Sequence, residues 1–296
     1  MMNSKKHAIS GILFKMANLL TFSVMSIIIK ISIGHLHSYQ LLFLLNIGCL
    51  IITTSTLLLK KRNIVSAITV NRFSVSRSVA FTGGTILWVL AIGSLPITEA
   101  TAISYLTPLM MALLGISFLG EKLTKQIVLA LLLGIAGMII ILKPFTNDVF
   151  FPGLAFALLS ALMWAIHDVI IKFQTNKSEP WFEQIHTLCF LVSLLISPFA
   201  IYNWEPIEPK YILICLSLAP LTILNKFFLI SAISRSKLVN LAPISFVRII
   251  FTAILAYLIF GEIMEYDSIL GVIVIILSTS LVVKHTSKMY GGSGKS

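Results

Sequence analysis

Residues 11–30, GILFKMANLLTFSVMSIIIK, and residues 153–172, GLAFALLSALMWAIHDVIIK, are two versions of one segment. Six of the 20 positions match: Gly11 with Gly153, Phe14 with Phe156, Leu20 with Leu162, Ile28 with Ile170, Ile29 with Ile171 and Lys30 with Lys172. An α-helix needs about 20 apolar residues to cross the hydrocarbon of a bilayer. Each copy reads as one membrane span that closes on a lysine. The likeness continues downstream. At an offset of 141, residues 91–121 lie over 232–262, and Ala91, Ile92, Ile103, Ser104, Ala112, Leu114, Gly120 and Glu121 recur. That makes 14 matches in 51 aligned positions, against about five by chance in so apolar a chain. The matched Gly120-Glu121 and Gly261-Glu262 pairs each end a helix. The chain contains an internal repeat.

The whole composition agrees. Of 296 residues, 57% are hydrophobic and 11% charged, where a soluble domain carries roughly 25% charged residues. A soluble globule must face water and has no use for so much apolar surface. Soluble enzymes, coiled coils, collagen and disordered chains are excluded. Apolar runs bounded by charges and turn residues predict ten transmembrane helices, at 8–29, 39–59, 77–95, 98–119, 125–143, 152–172, 183–202, 210–232, 238–260 and 267–284. Lys5 and Lys6 precede the first run as in a signal peptide, but the run is long and lacks a small-residue cleavage site, so it reads as a retained span. The expected fold is an all-α polytopic membrane protein built of two five-helix repeats, 1–146 and 147–286, with a flexible tail at 287–296.

Charge sets the orientation. With both termini inside, 16 of the 22 Lys and Arg residues fall in cytoplasmic segments, Arg72 and Arg77 among them, and only Lys30, Lys143 and Lys210 fall outside. That asymmetry is the positive-inside pattern, and it accounts for the net charge of +11 without nucleic acid. Five is odd, so the second half crosses in the opposite sense, with Glu121 toward the cytoplasm and Glu262 outside. Inverted repeats are the architecture of alternating-access carriers, whose site lies near midplane where the halves meet. Small residues let helices approach closely in lipid. Gly153, Ala157, Ala161 and Ala165 form one such stripe, and Ala130, Gly134 and Gly137 another. Pro108, Pro220 and Pro243 interrupt three spans, as kinks or as breaks around a site.

Candidate binding residues are the costly ones. Arg248 lies ten residues into its predicted span, too deep to snorkel, and such residues face a cavity or a partner. It reads either as an anchor for a substrate carboxylate or phosphate, or as one half of a structural ion pair. Asp168 has Lys172 at i+4, so it is a local ion pair, a proton-coupling carboxylate or the partner of a substrate amine. His167 falls on the opposite face. Lys15 and Lys226 are within snorkelling reach of the cytoplasmic end; Lys15 reads as structural and Lys226 is open. Glu99 suits a helix N-terminus. Trp88, Trp164 and Tyr105, with Phe22 and Phe246 as repeat mates of Trp164 and Tyr105, could clasp a flat substrate or simply pack. Asn46 adds a hydrogen-bonding side chain. Cys49, Cys189 and Cys215 lack metal or disulfide spacing. The terminal GGSGKS has Met289 where a P-loop needs glycine. No cofactor or metal is expected.

The opening glycine with lysine at the helix end, AIGSLPITEA at 91–100, and Pro108 followed by Gly120-Glu121 together resemble the drug/metabolite transporter superfamily over nearly the whole chain. Within it, LHSYQLLF at 36–43, the sixth helix with Asp168 before IIK, and NLAPISFVRIIFTAILAYLIFGE at 240–262 are similar to the S-adenosylmethionine uptake transporters of intracellular bacteria. The resemblance implies a ten-helix secondary carrier in the bacterial inner membrane, a small-molecule substrate, and homodimers as an option the sequence leaves open. Two departures stand out. Asn46 occupies a position where the family often has Arg, and Arg248 one where the S-adenosylmethionine-type members tend to have Glu. The second tells against a cationic substrate. S-adenosylmethionine uptake leads narrowly over an amino-acid or other anionic metabolite carrier. An intramembrane enzyme or a lipid flippase are the competing classes, and the chain has none of the motifs of the former.

Overall fold

A computed structural model describes residues 2–32, 37–95, 97–142, 151–261 and 266–291. Among them all regular structure is helical: α1 (Met2–Ser32), α2 (Ser38–Leu59), α3 (Ile64–Ala67), α4 (Arg72–Ile92), α5 (Ile97–Ser104), α6 (Thr107–Leu119), α7 (Lys125–Leu142), α8 (Phe151–Asn176), α9 (Trp181–Tyr202), α10 (Pro209–Arg235), α11 (Leu238–Leu241), α12 (Val247–Phe260) and α13 (Tyr266–Gly291). Among the described residues nine stretches are long and apolar enough to cross a membrane, and a tenth, Lys125–Ile141, is apolar and slightly shorter. These are the ten expected spans. The side chains of Lys30 and Glu99, and all of Glu262, lie outside the described residues, as does the tail beyond Gly291; α13 itself continues past 287.

The fourth and ninth spans are each two pieces. Tyr105 and Leu106 separate α5 from α6, and a 3₁₀ turn at Pro243–Phe246 separates α11 from α12. Pro108 stands in the first turn of α6 and Pro243 at the start of the 3₁₀ turn, where a missing N–H costs little. Backbone bonding persists across both breaks through i→i−3 contacts, as in Leu106 N–H to Ile103 O at 2.9 Å and Ser245 N–H to Ala242 O at 3.1 Å. The spans are bent rather than unwound. Pro220, by contrast, sits within the continuous α10.

Contacts of one half recur in the other with partners exchanged. The Asn18 side-chain amide donates to Asn225 O at 3.2 Å, joining α1 to α10. Their mates at the repeat offsets, Ser160 and Gly84, join α8 to α4 by a 2.7 Å bond from the serine hydroxyl to the glycine carbonyl. Gly11 abuts Ser236, and its mate Gly153 abuts Leu95, the mate of Ser236. On the α7–α13 seam Ser278 Oγ donates to Ala130 O at 2.6 Å, while Gly137 meets Gly271. Each of these pairs is the other's repeat image, and residue numbers rise along α7 as they fall along α13. The two helices cross antiparallel. The predicted small-residue stripes form these seams: Ala157, Ala161 and Ala165 are fully buried. Gly120 and Gly261 close α6 and α12 in the same left-handed conformation, at φ 64° and 67°, a geometry open to glycine.

At Gly137 and Gly271 a Cβ on either residue would lie 2.8 Å from the other's carbonyl oxygen. The obstacle is backbone and cannot rotate away. Overpacking of this kind costs about 1–3 kcal/mol or more. Gly271→Val is expected to lower the detergent melting temperature clearly, while Gly83→Ala, in open space, leaves it unchanged. Equal melting temperatures would overturn this reading of the seam.

Candidate functional site

The two bent spans meet inside the bundle. Tyr105, at the first break, stacks on Phe246, at the second, with ring centroids 6.1 Å apart and planes at 18°. Arg248 follows in the first turn of α12. Its Nε donates to the Tyr105 hydroxyl at 3.2 Å, and its guanidinium carbon lies 4.5 Å from the Tyr105 ring centre and 5.0 Å from that of Phe22. Two aromatic faces hold the cation in place, an arrangement worth about 0.5–2 kcal/mol. Among the described residues no protein acceptor meets the terminal nitrogens of Arg248. The structural carboxylate partner left open by the sequence is not found there. What remains is a planar donor fork, the group best matched to a carboxylate or phosphate.

Asp168 belongs to a second cluster beside the first. Arg77 Nε donates to His167 Nε2 at 3.4 Å, so His167 carries its proton on Nδ1 and donates to Asp168 Oδ1 at 3.1 Å. His167 therefore shares the site, contrary to the opposite face expected for it. Asp168 does not pair with Lys172. That lysine instead donates to Ile233 O at 2.7 Å and Ser236 O at 2.9 Å, capping the end of α10, because α8 crosses α10 there. Lys15 does not snorkel: it is 6% exposed and sits in the field of Asp168 and Arg248. Lys226 is 8% exposed, with its ammonium 4.6 Å from the centre of the Phe81 ring. Phe81 in turn packs on His167 at 5.2 Å.

Arg77 is the residue that sequence reasoning misplaced. Counted as a loop charge, it is only 1% exposed and donates through Nη1 to Gln174 Oε1 at 3.0 Å and Gln184 Oε1 at 3.1 Å. The missed signal is Asn71, whose side chain caps α4 by accepting from Phe73 and Ser74 N–H. A helix beginning at Arg72 puts Arg77 in its second turn, pointing into the bundle. Trp88 and Trp164 do come together, 5.7 Å apart, with Trp164 seated against Gly84; they line the α4–α8 seam, and Trp88 packs on the small cluster around Ala91 and Ala157. Asn46 joins neither cluster: its amide donates back to Leu42 O within α2 at 2.8 Å.

The ends of the bundle differ. Arg62 pairs with Glu183 at 3.1 Å, and Asn71 donates to Glu179 at 3.0 Å. Glu121 accepts from Leu238 N–H at 3.0 Å and Val239 N–H at 2.9 Å. These contacts share the end that carries most of the basic residues. There α8 packs on α10 and α6 on α11, whereas the counterparts under the repeat, α1 with α4 and α12 with α5, form no comparable interface among the described residues. The basic end is closed, and among the described residues the opposite end shows no matching interface.

A ten-span helical bundle with a repeat, two bent helices meeting at its centre and an interior polar cluster defines a membrane transporter. The chain belongs to the EamA-like transporter family, which matches it twice, over residues 9–143 and 151–284, once in each half. It is 26% identical to the S-adenosylmethionine uptake transporter of Rickettsia prowazekii (strain Madrid E), over 97% of both chains. It is 24% identical to the pseudopaline exporter of Pseudomonas aeruginosa (strain UCBPP-PA14), over 91% of this chain and 94% of the exporter. A riboflavin transporter of Brucella anthropi is 24% identical over 63% of this chain and 67% of that protein. A solved crystal structure with 18% identity superposes with a TM-score of 0.81 over 95% of this chain and 98% of the other, which fixes the fold.

Proposed function

We propose that this protein is a secondary-active carrier of a small polar metabolite bearing at least one carboxylate or phosphate, working by alternating access between two inverted repeats. The observation that carries this is Arg248, an interior guanidinium clamped between Phe22 and Tyr105 with its terminal nitrogens unused by the described residues. It stands where the two bent helices meet, the place where repeat-built carriers bind substrate. The exchanged, antiparallel contacts support the inversion. The basic end faces the cytoplasm by the positive-inside rule, with both termini on that side of a bacterial inner membrane, so the conformation described is closed inward.

S-adenosylmethionine is the first solute to try, because it is what the relative spanning nearly the whole chain is named for and it carries a carboxylate for Arg248 and an amine for Asp168. The test is uptake of labelled S-adenosylmethionine by bacterial cells producing the protein, against empty-vector cells. Saturable uptake, competed by S-adenosylhomocysteine, would assign that substrate. Background uptake with the protein present in the membrane would reject that substrate and turn the screen to amino acids and organic acids.

A further inference from the structure

The interior holds positive charge that the protein itself does not answer. Lys15 and Lys226 are more than nine-tenths buried, and among the described residues neither ammonium has a hydrogen-bond acceptor or an ion-pair partner. Lys226 sits against the Phe81 ring and in the field of the Cys49 and Cys189 thiols, and Lys15 lies in the field of Asp168 and Arg248. The Arg248 fork is equally unused. Arg77 is bonded, but to two neutral glutamine oxygens and a histidine. Against these four cations the described residues set two carboxylates: Asp168, already accepting from His167, and, in the field of Arg77, Glu179, already accepting from Asn71 and Gln174. A buried charge without a partner is costly. Two such lysines, beside the unused terminal nitrogens of Arg248, are kept for an incoming group.

They are also spread out. Arg248 rests on Phe22 and Tyr105, with Lys15 in its field. Lys226 projects from α10 on the Phe81 and Arg77 side. Arg248 and Lys226 thus belong to different aromatic neighbourhoods. Resting on the carrier reading above, we propose that the transported solute is net negative, with two carboxylate or phosphate groups. Arg248 and Lys15 take one of these groups. Lys226, backed by Arg77, takes the other. S-adenosylmethionine, with one carboxylate and a sulfonium, would leave the second pole empty and add positive charge.

The experiment measures binding to purified protein by quenching of its tryptophans and by thermal shift, with succinate, glycerol 3-phosphate, leucine and S-adenosylmethionine as probes. At least one of the two dianions is expected to bind tenfold or more tightly than leucine or S-adenosylmethionine, and which of them does separates a dicarboxylate from a phosphate carrier. Lys226→Gln and Lys15→Gln are each expected to weaken dianion binding at least tenfold and to raise the melting temperature of the ligand-free protein. A structural lysine would do the reverse on the second count. The proposal is overturned if neither dianion binds, or if the lysine variants melt lower and bind as before. S-adenosylmethionine counterflow in proteoliposomes alongside silent dianions would sink this inference and leave the carrier standing; no counterflow and no binding would remove both.

Discussion

Arg248→Ala is expected to cut transport of the carried solute at least about thirtyfold, and up to several thousandfold, without loss of folded protein from the membrane. The range comes from the 2–5 kcal/mol lost when one partner of a buried, hydrogen-bonded charge pair is truncated, at 1.4 kcal/mol per factor of ten. The protein side loses far less. Without solute, Arg248 gives up one hydrogen bond to Tyr105 and two ring contacts, and a costly interior charge disappears with them. The melting temperature is thus expected to stay level or rise. Arg248→Lys keeps the charge but not the planar fork, and is expected to recover little. Tyr105→Phe removes only the hydroxyl that accepts from Nε and is expected to cost a few-fold. Full transport by Arg248→Ala protein would show that the guanidinium does not bind the solute.

What the sequence made legible was whatever depends on spacing along one helix. Ten spans, the repeat, the small-residue seams and the glycines that close α6 and α12 all follow from hydrophobic length, from residue size at i+4 and from matched positions. Arg248 was legible for the same reason, since a charge deep in a span has no cheap place to go. Partner choice between helices was not. Lys172 stands at i+4 from Asp168, yet it bonds carbonyls of α10, because helix crossing brings two free acceptors nearer than its own neighbour. Lys15 and Lys226 lie within snorkelling reach of one end, but packing of α1 on α10 closes the way out. Arg77 was lost through a boundary error of five residues, 77 for 72, which moved a buried side chain into a loop.

Glu121→Ala is expected to open the basic end. In the closed bundle its carboxylate is 8% exposed and accepts from Leu238 and Val239 N–H, two donors at the start of α11 that have no acceptor further back in that helix. Lys172 holds the adjoining turn through Ile233 and Ser236 carbonyls, so the link between α10 and α11 is gripped from both sides. Each bond to a charged group contributes about 1.5–3 kcal/mol, and losing even one shifts the balance of closed and open forms roughly 10- to 150-fold. Glu121→Gln keeps one acceptor oxygen and turns an NH₂ toward the other donor, so an intermediate effect is expected. Lys172→Met should push in the same direction. The reporter is Ser236→Cys, a buried position between the grips, in protein whose three native cysteines, all buried, are replaced by alanine. In inside-out vesicles a membrane-impermeant maleimide should label this thiol slowly in the parent and at least tenfold faster with Glu121→Ala. Transport should fall in the same variant, because a carrier held open on one side cannot return its site to the other. Unchanged labelling would mean that Glu121 merely caps a helix, and that closure of this end rests on the packing of α8 against α10.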